Sequence, residues 1–274
     1  MSTSVIISTY NSPAWLRKVV WGYQAQTRTD FELIVADDGS RDDTRLAVEE
    51  LSAHSPFPIR HVWQEDKGFR KCEILNKAIA ASEGDYLIIS DGDCVPRADF
   101  VQVHMDLRQE DHFVSGGYCK LPMLTSETIT REDIVNQNAF DPAWLRANGC
   151  PNVPLKLRAR GAFAKLLNYI TPTSPTWNGH NASGWKKNIL AVNGFNEDME
   201  YGGEDREMGE RLINNGIAPI QARHLAICIH LDHARAYIRG EALEKNAEIR
   251  ELTRRSGIAW AERGIVKGPR PTTA

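Results

Sequence analysis

The chain has 274 residues, 42% hydrophobic and 25% charged, with a formal net charge of −3. That is ordinary for a globular protein large enough to bury a full α/β core, and the charge balance argues against a general nucleic-acid binder. No apolar run reaches membrane-spanning length, and the five scattered cysteines (72, 94, 119, 150 and 228) lack the Cys-x-x-Cys spacing of a zinc site or a disulfide framework.

Val5 to Ser8 is a β-branched run that ends in Thr9-Tyr10-Asn11-Ser12-Pro13, a strand followed by turn chemistry and a proline placed for a helix start. Ala14 to Gln26 has the apolar spacing of an amphipathic helix, with Leu16, Val19, Val20 and Tyr23 on one face. The alternation repeats. Phe31 to Ala36 is a second strand with a polar exit at Asp37-Asp38-Gly39-Ser40, followed by a helix over Asp42 to Ser52. Ile59 to Trp63 is a third strand and Lys71 to Ser82 a third helix. Strands and helices alternating at this spacing predict an α/β fold with a mainly parallel sheet.

Tyr86 to Ile89 is a short, almost continuous apolar run, the signature of a strand buried on both faces. Asp91-Gly92-Asp93 follows at once. In open α/β sheets the functional crevice lies beyond the carboxyl ends of the strands, so the two carboxylates are delivered there together. Such a pair suits a hard divalent cation, Mg²⁺ or Mn²⁺, whose coordination shell substrate phosphates complete. The polar exits at Tyr10-Asn11, Asp37-Asp38 and Asp91 with Asp93 fall at the same sheet edge, forming a trough suited to a nucleotide.

Phe113 to Gly117 predicts another strand. From Tyr118 to Thr176 the pattern turns irregular and proline-rich, with helical pieces near Arg131 to Gln137 and Leu155 to Asn168, as expected of an insertion that shapes a crevice. Regular structure returns at Asn188 to Val192, then a helix over Glu204 to Asn215, a strand over Leu225 to Leu231 and a charged helix over Ala236 to Arg254. Lys267 to Ala274 reads as a loose tail.

Four segments carry a family resemblance: Val5 to Asn11, Phe31 to Ser40, Gly68 to Asn76, and Asp91-Gly92-Asp93. Together they resemble the inverting, nucleotide-sugar-dependent glycosyltransferases of family 2, whose fold is called GT-A. Farther along, Asn193-Gly194-Phe195, Tyr201-Gly202-Gly203-Glu204-Asp205 and Arg211-Leu212 are similar to the acceptor-side segment of β-1,4-galactosyltransferases and chondroitin-polymerase-like enzymes.

The resemblance implies a single GT-A domain, with residues 1–117 as donor half and 118–274 as acceptor half. Ser8 and Tyr10 would flank the nucleobase and ribose, Asp38, with Asp37, would accept from the base, and Arg70, Lys71 and Asn76 would lie near the nucleotide. Asp91 and Gly92 would address ribose and metal, and Asp93 would be the main metal carboxylate, joined by His230 with His233 behind it. Asp205 would be the general base and Glu204 a ligand of the acceptor hydroxyl. A helix N-terminus favours the charged form of such carboxylates, which suits capping as well as catalysis. From the residues themselves, Trp177, Trp185 and Tyr201 could stack on acceptor sugars, with Trp185 fitting a core or rim position nearly as well, and Gly202-Gly203 lets the backbone pass close to substrate.

The implied reaction moves a hexose or N-acetylhexosamine from a UDP-sugar to a glycan or glycolipid acceptor of lipopolysaccharide, capsule or other surface polysaccharide. The start of the chain, Met1 to Ser4, shows no secretory pattern, so the expected location is cytoplasmic, with peripheral contact at the inner face of a membrane left open. Trp15 and Trp21 with Arg17 and Lys18 could touch such a surface but read better as a helix packing face with solvated basic ends.

Three rivals fit less well. Aspartyl-nucleophile phosphatases follow their Asp-x-Asp with Thr on a first strand, whereas Cys94 and Val95 follow here. A sugar-1-phosphate nucleotidyltransferase needs a glycine-rich basic stretch that Ser8 to Pro13 lacks. An inactive carbohydrate-binding scaffold would not need Asp91, Asp93 and Asp205 together.

Overall fold

A computed structural model describes residues 2–234 and 239–271. The first third follows the expected alternation: β1 (Thr3–Thr9), α1 (Pro13–Gln24), β2 (Glu32–Asp37), α2 (Asp42–Ala53), β3 (Ile59–Trp63), α3 (Lys71–Ala81) and β4 (Tyr86–Asp91). Then come β5 (Cys94–Pro96), α4 (Phe100–Leu107), β6 (His112–Ser115) and β7 (Gly117–Lys120). The irregular region holds short helices, α5 (Met123–Thr128), α6 (Arg131–Val135), α7 (Pro142–Ala147), α8 (Leu155–Arg158) and α9 (Gly161–Ile170). The chain continues through β8 (Asn181–Trp185), α10 (Lys186–Ala191), α11 (Glu204–Asn214), β9 (Ala218–Gln221), β10 (Ile227–His230) and α12 (Gly240–Ser256).

The main sheet has seven strands in the order β3-β2-β1-β4-β8-β6-β9, and a smaller sheet has the order β5-β10-β7. Strands β1 to β4 are mutually parallel, and their period-two alternation feeds two cores. Val5, Ile7, Leu33, Val35 and Ile88 face α1 and α2, while Ile6, Ile34, Leu87 and Ile89 face α3 and α11. Each such aliphatic, fully buried, contributes roughly 1.5–3 kcal/mol. These two hydrophobic layers hold the strand ends in register, with Ser8 opposite Asp91 and Thr9 opposite Asp37.

Several expectations are corrected. The sheet is mainly parallel, with β6 and β9 running the same way as β1 to β4, but it carries an unexpected reversed strand: β8 runs antiparallel to both β4 and β6. Its sequence, Asn-Ala-Ser-Gly-Trp, has no apolar run, yet all five residues are buried. Leu225 to Leu231 contributes β10 to the smaller sheet, antiparallel to β5 and parallel to β7. The piece expected over Leu155 to Asn168 is two helices broken at Ala159 and Arg160. The start of the helix expected from Ala236 lies partly outside the described residues, as do the last three residues of the expected tail. The tail is tied down where it begins: Lys267 pairs with Glu197 at 2.5 Å and the Gly268 N–H donates to the Glu262 carbonyl at 2.8 Å. The packing face expected of α1 is present: Trp15 and Trp21 pack against the α1-side core, and Trp15 donates to the Asp232 carbonyl at 3.3 Å. No helix among the described residues is long and apolar enough to cross a membrane.

Arg211 fastens the second half together. It is fully buried on α11, pairs with Glu207 one turn earlier at 2.8 Å, and donates to the carbonyls of Val192 and Gly194. Glu207 also accepts from Thr253 of α12 at 3.2 Å. Removing one partner leaves the other charge buried and alone. Arg211→Ala is therefore expected to lower unfolding stability by about 3–5 kcal/mol in a denaturant titration, far more than the exposed Arg45→Ala, whose ion pairs lie in solvent.

Candidate active site at the strand ends

A cleft of about 1520 Å³ opens where the parallel strands end. One wall is built by the exits of β1 and β4, and the facing wall by the segment Tyr201 to Arg206 that starts α11. His230 and His233 close one end, and Thr173 to Thr176 of the insertion form part of the rim.

On the first wall the Ser8 hydroxyl donates to Asp91 Oδ1 at 2.8 Å and Lys71 Nζ donates to the same oxygen at 2.7 Å. Burial alone would raise the Asp91 carboxyl, but the Lys71 charge, its hydrogen bond and that of Ser8 outweigh it and hold the group down at about 2. Lys71 is held in its charged form despite burial, chiefly by Asp91 and Glu204. Asp38 accepts from the Gln64 amide at 2.6 Å and from the Arg70 N–H at 2.8 Å, while burial pushes its carboxyl up. Tyr10 is half exposed at the cleft edge and donates to Asp66 at 2.9 Å.

Gly92 leaves β4 with its N–H on the Ser8 carbonyl at 2.7 Å, and a Cβ on it would lie 2.7 Å from that same oxygen. This tight turn directs Asp93 toward the histidines. Asp93 Oδ2 lies 2.9 Å from His233 Nε2 and 3.6 Å from His230 Nε2, and one ligand atom from each of the three residues lies within 4.8 Å of the others. The Ala234 carbonyl can only accept, so His233 Nδ1 donates to it at 2.8 Å, which fixes the ring and turns Nε2 to the carboxylate. A bare lone pair against that carboxylate would be repulsive, so Nε2 carries a proton or shares a cation with Asp93. His230 Nδ1 is buried without a hydrogen-bond partner among the described residues. A carboxylate and two imidazoles so placed fit a divalent transition-metal ion.

Across the cleft, Gly202 and Gly203 both adopt positive φ, 119° and 91°, bringing the chain sharply into α11. Side chains there would also collide, since a Cβ on Gly202 would meet Leu243 at 2.3 Å. Glu204 is buried and accepts from the Gly202 N–H at 2.9 Å, and burial raises its carboxyl against the pull of Lys71. Asp205 accepts from the Gly179 N–H at 2.9 Å and from the Arg206 N–H at 2.7 Å, which orients it at the helix start. Tyr201 lines the cleft with its ring edge-on to Phe69 at 6.1 Å.

Four expected site residues lie elsewhere or are committed to internal contacts. Asp37 is fully buried, accepts from the Ser40 N–H at 2.8 Å and sits 2.9 Å from His61, so it braces the turn. Arg70 spends its guanidinium on Glu73 and the Glu65 carbonyl. Asn76 is buried and clamps the Phe195 backbone, accepting from its N–H at 2.8 Å and donating to its carbonyl at 2.9 Å. The Asn193-Gly194-Phe195 motif is a structural knot for the same reason, with Asn193 bonded to Ala261 and Val266. Trp177 is a core residue with no exposure, packed on Phe113 at 5.6 Å in space vacated by Gly184 and Gly209.

His180 is the residue that sequence reasoning missed. It lines the cleft, its Nε2 is buried without a partner among the described residues, and its ring meets Tyr118 at 4.6 Å. Burial holds it below the usual imidazole range, against the pull of Asp91 and Asp205. Its only sequence signal was a histidine four residues after a proline-rich stretch, which carries no chemistry by itself.

The Ser8, Lys71 and Asp91 cluster has a pH signature. Because the folded Asp91 carboxyl lies below its ordinary value, its stabilisation is present above about pH 4 and is lost as pH falls toward about 2. The stability gap between the wild type and Lys71→Met, measured by urea unfolding at stepped pH, should be widest above about pH 4 and narrow steadily below it.

Comparison with known proteins agrees with this geometry. Residues 4–132 match the family model described as glycosyl transferase family 2, and residues 163–234 match that described as the N-terminal domain of galactosyltransferase. Chondroitin synthase of Escherichia coli is 28% identical over 228 residues, covering 78% of this chain and 32% of its own length. The chain thus spans about a third of that relative. A mannosyltransferase from Pyrobaculum calidifontis, solved with GDP-Man and Mn²⁺, superimposes with a TM-score of 0.58 at 20% identity, covering 86% of this chain and 58% of that one. S. aureus TarS 1-349, solved with UDP-GlcNAc, gives 0.61 at 16% identity over 92% and 66% of the two chains. The fold is therefore of the GT-A kind, and the chain is similar to glycosyl transferase family 2 in its first half and to the galactosyltransferase model farther along.

Proposed function

We propose that this chain is a metal-dependent inverting glycosyltransferase that moves a hexose or N-acetylhexosamine from a UDP-sugar to a hydroxyl of a surface glycan. The observation that carries the reading is the pairing of two poles in one cleft: Asp93 with His230 and His233 on one side, Glu204 and Asp205 at the start of α11 on the other. The relative that makes chondroitin and the neighbours solved with nucleotide sugars support it. Residues 1–117 would serve the donor and 118–274 the acceptor, although strands of both halves pair in one sheet.

In this reading Ser8, Tyr10 and Asp38 meet the nucleoside, and Lys71 keeps Asp91 charged and oriented toward the ribose and cation. Asp93, His230 and His233 would hold Mn²⁺ or Mg²⁺, with two nitrogen ligands favouring Mn²⁺. When bound, the ion would stabilise the negative charge that grows on the leaving diphosphate. Asp205, held by two backbone N–H groups, would take the proton from the acceptor hydroxyl as it attacks the anomeric carbon from the opposite side. Glu204 would position that hydroxyl and Tyr201 would stack on the acceptor sugar. One displacement on the face opposite the leaving group inverts the anomeric centre. All five cysteines are free thiols, which fits a reducing, cytoplasmic setting.

The test is turnover and binding in two variants. Asp93→Ala should abolish Mn²⁺-dependent UDP binding by calorimetry. Asp205→Asn should keep that binding and lose about 100-fold or more in turnover of the accepted UDP-sugar. Loss of UDP binding in Asp205→Asn would overturn the division into donor and acceptor poles, and nucleotide binding without turnover of any sugar would favour the scaffold reading.

A further inference from the structure

Helix α9 is amphipathic in the wrong sense for a solvent-facing element. Its buried positions are the small Ala164 and the polar Asn168, while Phe163, Leu166, Tyr169 and Ile170 are 52, 53, 88 and 60% exposed. Their spacing of three and four residues places them on one outward face. The helix is fixed in this orientation, because Asn168 Oδ1 accepts from the His224 N–H at 2.9 Å and Arg223 and Gln221 donate to Thr173 just beyond its end. Rotation to bury the apolar face would break this clamp and strip the His224 N–H of its acceptor. A clustered apolar face held outward marks a surface that is covered in use.

The charge around it indicates by what. No Asp or Glu occurs from Pro142 to Asn196, a stretch with seven Lys or Arg in a chain whose net charge is −3. Of these, Arg158, Arg160 and Lys165 on and beside α9 are exposed residues that form no ion pair among the described residues. Arg160 turns part of its guanidinium back onto the carbonyls of Leu157 and Ala159 at 2.7 and 2.9 Å, so Arg158 and Lys165 are the cations most open to a partner. Aromatic and aliphatic side chains flanked by unpaired cations are the recognition chemistry of an anionic lipid interface. A second copy of the chain fits badly, since a two-fold contact would set this positive face against itself.

We propose that the outward face of α9, with Arg158, Arg160 and Lys165, docks this chain on a lipid surface rich in anionic headgroups. The neighbouring segments on either side, Lys156 of α8 and Thr173 to Thr176 after α9, line the cleft. Docking therefore turns the cleft rim toward the lipid, and if the proposed transferase activity holds, an acceptor carried on a lipid would enter from that side. The docking itself does not depend on that activity.

Flotation of the purified chain with vesicles tests it, using phosphatidylcholine alone and phosphatidylcholine mixed with phosphatidylglycerol. The chain should float with the anionic vesicles and release as salt rises, because exposed charges are screened. Phe163→Ser with Leu166→Ser and Tyr169→Ser, and separately Arg158→Glu with Lys165→Glu, should each cut the bound fraction about ten-fold with unchanged circular dichroism and thermal unfolding. Failure to float with anionic vesicles, or equal binding by folded variants, would overturn the proposal. So would a concentration-dependent dimer that the apolar variant dissolves while no vesicle binding is seen.

Discussion

The antiparallel pairing of β10 with β5 is the contact on which the candidate site depends. It sets His230 opposite Cys94, and the Leu231 N–H on the Asp93 carbonyl at 2.8 Å locks the register one residue further on. Asp93 belongs to the exit of the parallel sheet and the histidines to a late, separate segment, so no local preference could bring them together. A slip of one residue would turn the His230 side chain to the opposite face and dissolve the cluster.

Around that contact the molecule distributes charge by function. Asp91 is consumed by Lys71 and Ser8 and is kept ionised by them, which makes it a fixed part of the wall. Asp93, two residues on, has the histidines and the weak Cys94 thiol about its carboxylate among the described residues and remains available to a cation. On the facing wall the buried Glu207–Arg211 pair sits one turn below Glu204 and anchors α11 to the loop at Val192 to Gly194. The N-terminal end of the helix is thereby held from beneath while its first turn stays open to the cleft.

The four parallel strands, their helices and the acidic exits were legible because each is encoded locally, by a short apolar run and the turn chemistry after it. β8 was not, since Asn181 to Trp185 becomes a strand only through its neighbours. Ser183 bonds Tyr86 and His104, Gly184 makes room for Trp177, and Trp185 packs on Tyr86. The same tertiary context explains the residues misassigned to the site. Asp37, Asn76 and Trp177 have the right chemistry at the right place in the sequence, but their side chains turn into a brace, a clamp and a core. Conversely His180 offered no motif, and only its position between the two carboxylate poles gives it meaning.

The central claim is that Asp93 and the two histidines form a cation site serving a nucleoside diphosphate at the strand ends. Its most direct test is the thermal transition of the chain with UDP alone, Mn²⁺ alone and both together, because a ligand that binds only the folded state raises its stability. The account predicts a shift with both that exceeds the sum of the separate shifts. Equal stabilisation by UDP with and without the metal, or none with both, would contradict it.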